Sequence, residues 1–421
     1  MRGERRYVLF VFIFLYIIIL SSEGMYLPFL FAKGVNPLVV KSLLLVKYVI
    51  VFSLFIVFIL KNVSTFFSRL YLFELLGVFL AIYDVVYIVM SSLFSQVADI
   101  SRIPLFIFPI ITYFAGRCIR VNYLDLVKIS KILIIVFTIH SIYAIIDVLI
   151  FDETVWRDVL QQERYLIEIK NYSGGIYKGV IGNFFFDPWV LKMRRAIGMM
   201  GDPLSYAYSA ILPMCFIAYS DVTCRYSKFR KALYFLVGFA GIVMSMTRAV
   251  ILSSAAVLTI RRLPSRWFLP ALTVVAIILL FFLSTAGYVV RVLVGLNDSS
   301  TFGHLESLKS FLSLDTLHIL FGNILANPAG NPAAFESGFL NYIIVLGLFM
   351  ALLFYSFITL IIHTLLKSSL PMVKAIGICG AIGLFTSYIF SESFFSFTGY
   401  GLFWLFAGMA IGLLHDKRYK S

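Results

Sequence analysis

The sequence predicts an all-α polytopic membrane protein of about 12 transmembrane helices, with two long outward-facing loops and a single integral membrane domain over residues 1–421. Three observations carry that expectation. Of the 421 residues, 61% are hydrophobic and only 13% charged. Apolar runs of about 20 residues recur along the chain, the length that crosses a bilayer as a helix. The Lys and Arg residues gather between alternate runs, as the positive-inside rule requires.

The apolar runs place spans at 7–22, 38–60, 70–94, 103–119, 132–150, 203–220, 232–247, 249–260, 267–287, 338–366, 375–391 and 399–414. The first follows Arg2, Arg5 and Arg6, lacks a small-residue cleavage site and leads into Glu23 and Pro28. It reads as helix one, not as a cleavable signal. With the N-terminus inside, the inner segments collect Arg2, Arg5, Arg6, Lys61, Arg69, Arg117, Arg120, Lys128, Lys131, Arg225, Lys228, Arg230, Lys231, Arg261, Arg262, Arg266, Lys367, Lys374, Lys417, Arg418 and Lys420. These are 21 of the 35 basic residues, against four inner acids, Glu4, Asp125, Asp221 and Asp416. Both termini are therefore expected in the cytoplasm, and the net charge of +14 reports topology. No basic domain interleaved with aromatics suggests a nucleic-acid partner. Cys118, Cys215, Cys224 and Cys379 have no metal-like spacing and read as packing residues.

On this topology the outer side carries the loops 151–202 and 288–337, while the inner connections are short. The first loop opens with an expected amphipathic helix over 153–169, in which Val155, Trp156, Val159, Leu160, Leu166 and Ile167 recur at helical spacing and suit a membrane surface. A glycine- and aromatic-rich stretch, 173–189, suggests a short hairpin. The second loop offers a short helix over 304–314, then Phe321-Gly322-Asn323 and the turn-prone Asn327-Pro328-Ala329-Gly330-Asn331-Pro332.

The first loop ends in Arg194-Arg195-Ala196-Ile197-Gly198-Met199-Met200-Gly201-Asp202-Pro203, whose paired cations suit a phosphorylated or acidic partner better than lipid. Between spans seven and eight the outer turn is only Ser245-Met246-Thr247-Arg248, too short to lift its arginine far into water. That arginine is expected either to face a protein cavity or to snorkel to headgroups. Arg195-Ala196-Ile197-Gly198 with Asp202-Pro203, Ser245-Met246-Thr247-Arg248, Leu320-Phe321-Gly322, and Glu336-Ser337-Gly338-Phe339-Leu340-Asn341 with Gly347 together resemble the O-antigen polymerase and O-antigen ligase superfamily. The likeness covers roughly residues 100–410 in order, spacing and placement at outer helix ends.

The resemblance implies a metal-independent glycosyltransferase of the bacterial inner membrane, without a cofactor, acting on the periplasmic face. Its implied partners are undecaprenyl-pyrophosphate-linked oligosaccharides as donor and acceptor, membrane lipid and a chain-length regulator. Arg195 and Arg248 would carry over as ligands of the donor pyrophosphate, with Arg194 as a second candidate on the same anion. Glu336 is the candidate general base, or else a carboxylate at a helix N-terminus. Ligases of the superfamily have a histidine where this chain has Glu336, which favours polymerase over ligase. The arginine common early in the second loop is absent; His304 stands there, with Arg291 upstream, and both are candidate substrate contacts together with Lys47. Lys41 and Lys47 are expected either to bind lipid phosphate or to snorkel. Glu74 and Asp84, ten residues apart within the third span, are expected to pair with a neighbour such as Lys47 or a helix hydroxyl. Gly408 and Gly412 have the spacing of a close helix contact. A flippase for lipid-linked oligosaccharides, with charges lining a path through the membrane, is an alternative, as is an assembly protein in which Arg195, Arg248 and Glu336 are replaceable.

Overall fold

The computed structural model describes residues 2–62, 70–93, 103–119, 121–151, 153–171, 175–186, 193–220, 222, 226–247, 249–254, 311–322, 337–389 and 397–418. Helix dominates: α1 (Arg2–Ala32), α2 (Pro37–Asn62), α3 (Leu72–Leu93), α4 (Ile103–Cys118) and α5 (Tyr123–Ile146) precede the first loop. Within it lie α6 (Gln162–Glu168) and, among the described residues, four two-residue strands; after it come α7 (Pro203–Tyr219), α8 (Lys228–Met244), α9 (Thr316–Phe321), α10 (Gly338–Leu346), α11 (Leu348–Leu366), α12 (Pro371–Ile389) and α13 (Phe397–Arg418). Among the described residues five helical stretches are long and apolar enough to cross a membrane: Ile13–Ala32, Pro37–Val57, Tyr123–Phe151, Leu348–Leu366 and Pro371–Tyr388. Shorter apolar helices are Ile107–Cys118, Pro203–Tyr219 and Gly399–His415. This is the make-up of a membrane-embedded protein.

Several helices outrun the apolar runs that announced them. α1 continues through Glu23 and Pro28, because Glu23 is neutralised in place by Lys47 of α2, both side chains being buried. α5 starts at Tyr123, where Asn122 caps it by accepting from the backbone N–H of Asp125 at 2.8 Å, so Lys128 and Lys131 lie within the helix rather than before it. Conversely, the expected single span over 338–366 is two helices, broken at Gly347. The span expected at 267–287 lies outside the described residues, as do 255–260 of the one before it.

The bundle is assembled around close backbone contacts. α4 and α13 make the most extensive pairing, with Gly116 on one facing Gly408 on the other; a methyl group on either would overlap the opposite backbone. The same face carries Gly412, beside the Arg117 side chain, so the small-residue spacing does mark a packed surface. Arg117 in turn holds Glu74 of α3 (Nε–Oε1 2.5 Å, Nη2–Oε2 3.2 Å), and the Glu74 carboxylate also accepts from the Tyr113 hydroxyl and the Tyr71 amide. The expected partner Lys47 is instead taken by Glu23, on another helix pair. Cys118, Cys215 and Cys379 are free thiols and half-buried or buried.

A second glycine contact joins the end of α9 to the helical break. Gly322, with φ of 66°, and Gly347, with φ of 88°, lie against each other's neighbourhood: a Cβ on Gly322 would meet the backbone of 345–347, and one on Gly347 that of Leu320 and Phe321. Gly347 also has ψ of 160°, a backbone region that only glycine occupies readily. Gly34 offers a control, with φ of 80° and open space around it. Gly34→Ala should cost only the left-handed backbone, about 1–2 kcal/mol. Gly347→Ala should lower the thermal midpoint of the detergent-solubilised protein much further, because strain and backbone overlap add. Equal midpoints for the two variants, read by fluorescence-detected size exclusion, would show that the Gly322 and Gly347 contact is not a packing requirement.

Candidate functional site

The described part of residues 151–202 folds as a set of short devices that end on Arg195. The expected amphipathic helix over 153–169 is not continuous. A π-helical turn, Val155–Val159, is followed by Gln161 in the left-handed region (φ 46°), and α6 then starts at Gln162. Trp156, Leu160 and Leu166 are therefore buried, while Val159 and Ile167 are 56% and 50% exposed, and the six residues do not share one face. The indole N–H of Trp156 fixes the first half by donating to Asp147 Oδ1 at 2.8 Å. The expected hairpin in 173–189 is present as Ile176–Tyr177 against Val180–Ile181, and a second pairing sets Phe185 opposite Arg194.

From that pairing the backbone runs into the motif. Arg195 N–H donates to Phe184 O at 2.8 Å and Ala196 N–H to Met244 O at 2.9 Å, so the strand end is stitched to the C-terminus of α8. A 3-10 turn, Gly198–Met200, and left-handed Gly201 (φ 70°) bring the chain to Asp202, the N-cap of α7. Met200 and Gly201 lie directly on Gly24 of α1, where any side chain would collide with their backbone. The Asp202 carboxylate accepts from Ser205 N–H at 2.7 Å and from Asn183 Nδ2 at 3.0 Å, and Pro203 sits in the first turn, where its missing N–H costs nothing.

Arg195 is 8% exposed and its fork is fully directed. Nε donates to Ser245 O at 2.7 Å, Nη1 to Asn183 Oδ1 at 2.6 Å and Nη2 to Thr247 Oγ1 at 3.2 Å. Ser245 and Thr247, fifty residues downstream, are bonded to each other at 3.0 Å, with Met246 between them at φ of 51°. The guanidinium thus grips the turn that leads into position 248. Arg194 turns elsewhere: Nη2 donates to Asp147 Oδ2 at 2.8 Å, and the guanidinium lies 5.3 Å from the Phe184 ring centre, leaving Nε and Nη1 without acceptors among the described residues. The two adjacent arginines diverge, as residues in extended backbone do.

Beside them Glu23 gathers cations from two elements. Lys47 of α2 binds one of its oxygens, and Lys170, after α6, stands 3.9 Å from the other. Burial lowers the Lys170 pKa, the Lys47 charge opposing it further, while Glu23 and Asp202 pull it back up. Lys47 and Asp202 thus both act on the Lys170 charge. Arg248, Glu336, Arg291 and His304 lie outside the described residues. The N-cap of α10 is Ser337: its hydroxyl accepts from Leu340 N–H at 3.4 Å and donates to Tyr388 O at 2.8 Å.

Sequence reasoning missed Asn183, Asp147 and Glu23. Asp147 carried a usable signal, a carboxylate inside an apolar run, the same that singled out Glu74 and Asp84. Asn183 carried none, since its role depends on Arg195 and Asp202 arriving from elsewhere. The chain matches no protein-family model, no curated protein and no solved structure.

Asn183 positions Arg195 by bonding it on one side and Asp202 on the other. Asn183→Ala should raise the reaction of Arg195 with an arginine-selective dicarbonyl reagent, read by peptide mass spectrometry, while Arg194, held by Asp147, keeps its wild-type rate. Asn183→Asp should do the same, because the new carboxylate faces Asp202. Unchanged modification of Arg195 in both variants would remove Asn183 from this role.

Proposed function

We propose that this chain is a polysaccharide polymerase of O-antigen type, a metal-independent inverting glycosyltransferase on the outer face of a bacterial inner membrane. It moves a glycan from undecaprenyl pyrophosphate to a sugar hydroxyl of an acceptor lipid-linked unit. The observation that carries the reading is the Arg195 grip on Ser245 and Thr247, since it ties two arginine-bearing motifs, distant in sequence, into one edge beside Asp202. Breaking a sugar–pyrophosphate bond builds negative charge on the departing oxygen. A guanidinium already oriented by fixed oxygen acceptors stabilises that charge without reorganising. In this reading Arg195 and Arg248 bind the pyrophosphate, Arg194 orders the loop through Asp147, and Glu336 takes the proton of the incoming hydroxyl. Arg291 and His304 are further substrate contacts, and Lys47 is a further candidate contact for the lipid phosphate. Both termini are cytoplasmic, the loops 151–202 and 288–337 face outward, and a chain-length regulator is a partner.

Alanine at Arg195 or Arg248 should abolish polymer and leave single lipid-linked units on the outer face, with the protein still present in the membrane. Lysine should rescue poorly, because a point charge lacks the planar fork. Units trapped on the inner face would indicate a flippase instead, and polymer of normal length that never reaches its final acceptor would indicate a ligase. Purified protein given lipid-linked units and a chelator should still make polymer; reversible loss would contradict the metal-free mechanism.

Glu336→Gln separates a base from a helix-end carboxylate. As a base, glutamine should lower turnover by roughly 10²- to 10⁴-fold at saturating donor and acceptor without changing binding. Wild-type turnover would transfer the assignment to His304.

A further inference from the structure

α3 buries two carboxylates, and their surroundings are opposite. Glu74 is met by a guanidinium, a phenol and a backbone amide. Asp84 is 0% exposed, and neither of its oxygens has a hydrogen-bond partner among the described residues. Ten residues of helix put the two groups about 15 Å apart along the axis, so the cation at Glu74 cannot serve Asp84.

The groups around Asp84 are phenolic and apolar. α3 packs on α4 and α11. Their titratable side chains are Tyr113 and Arg117, both engaged by Glu74, Cys118, whose thiol bonds the Leu54 and Phe114 carbonyls, and Tyr355 and His363. Tyr83 of α3 itself and Tyr342 of α10 are the phenols near enough to interact with Asp84 electrostatically. No lysine or arginine among the described residues pairs with it. An ionised carboxylate held in a dry interior with neither donor nor counter-charge is too costly to persist, and such a group neutralises instead.

We propose that Asp84 is an intramembrane proton-binding site. In this conformation the carboxyl group carries its proton, and the proton leaves only when water enters between α3 and α10. The site stands apart from the Arg195 edge and does not depend on the activity proposed for it. Asp84 is the one carboxylate in the described bundle whose two oxygens are both orphaned, which is what a neutral acid tolerates and a structural ion pair does not.

Membranes containing the full chain, treated near neutral pH with dicyclohexylcarbodiimide, test this directly. The reagent adds to protonated carboxyl groups in apolar surroundings: the acid proton passes to a carbodiimide nitrogen as the carboxyl oxygen bonds the central carbon, and rearrangement leaves a stable N-acylurea. Peptide mass mapping should find the adduct on Asp84 and none on Glu74. Asp84→Asn should lose the adduct while keeping the wild-type thermal midpoint, since it replaces one neutral group by another of the same size. If that variant fails to accumulate, Asp84→Glu should restore accumulation and carry the adduct at position 84. Absence of the adduct from wild-type Asp84 would overturn the proposal. So would protection of Asp84 by sodium but not by choline, which would make the ligand a metal cation rather than a proton.

Discussion

The Arg195 guanidinium is the tie on which this end of the structure depends. Its hydrogen bonds join the segment before α7 at Asn183 to the turn after α8 at Ser245 and Thr247, and Asn183 passes the connection to the cap of α7 at Asp202. Hydrogen bonds from a charged donor contribute about 1.5–3 kcal/mol each, and three from one planar group fix orientation as well as position. The strand end bearing Arg195 is held independently by backbone bonds to Phe184 and Met244, so the fork arrives at its acceptors with little freedom left to lose. That is the condition a group must meet if it is to stabilise charge that exists only fleetingly.

Glycine makes the arrangement sterically feasible. Gly24 lets the backbone of Met200 and Gly201 rest on α1, and Gly322 and Gly347 let the end of α9 rest on the break between α10 and α11. Two motif segments are therefore seated on helices through backbone rather than through side chains. A seat of this kind is stiff, because there is no rotamer to yield, and it leaves neighbouring polar side chains such as Asp202 and Asn183 available for other bonds.

Among the described residues, buried carboxylates in the bundle are matched by a cation in three places. Glu23 with Lys47, Glu74 with Arg117 and Asp147 with Arg194 are each matched across two segments. Removing one member of such a buried pair costs about 3–5 kcal/mol, which makes each a strong determinant of register even where its net contribution to stability is small. Asp84 breaks the pattern, with a phenolic neighbourhood in place of a cation.

Apolar run length alone determined that the chain is helical and membrane-embedded, because about 20 apolar residues have few stable alternatives to a bilayer-crossing helix. Local chemistry likewise determined the cap at Asp202-Pro203 and the close packing at Gly408, since both effects act within a turn or along one helix face. Tertiary structure decided the rest. It split the expected helix at Gln161, because Trp156 is anchored by Asp147, and it broke the run 338–366 at Gly347, because Leu320 packs there. It also sent Lys47 to Glu23 rather than to Glu74, and Arg194 away from Arg195. These outcomes depend on which segments meet in space, and electrostatic partners and backbone contacts between segments leave no periodic trace in the residues that will make them.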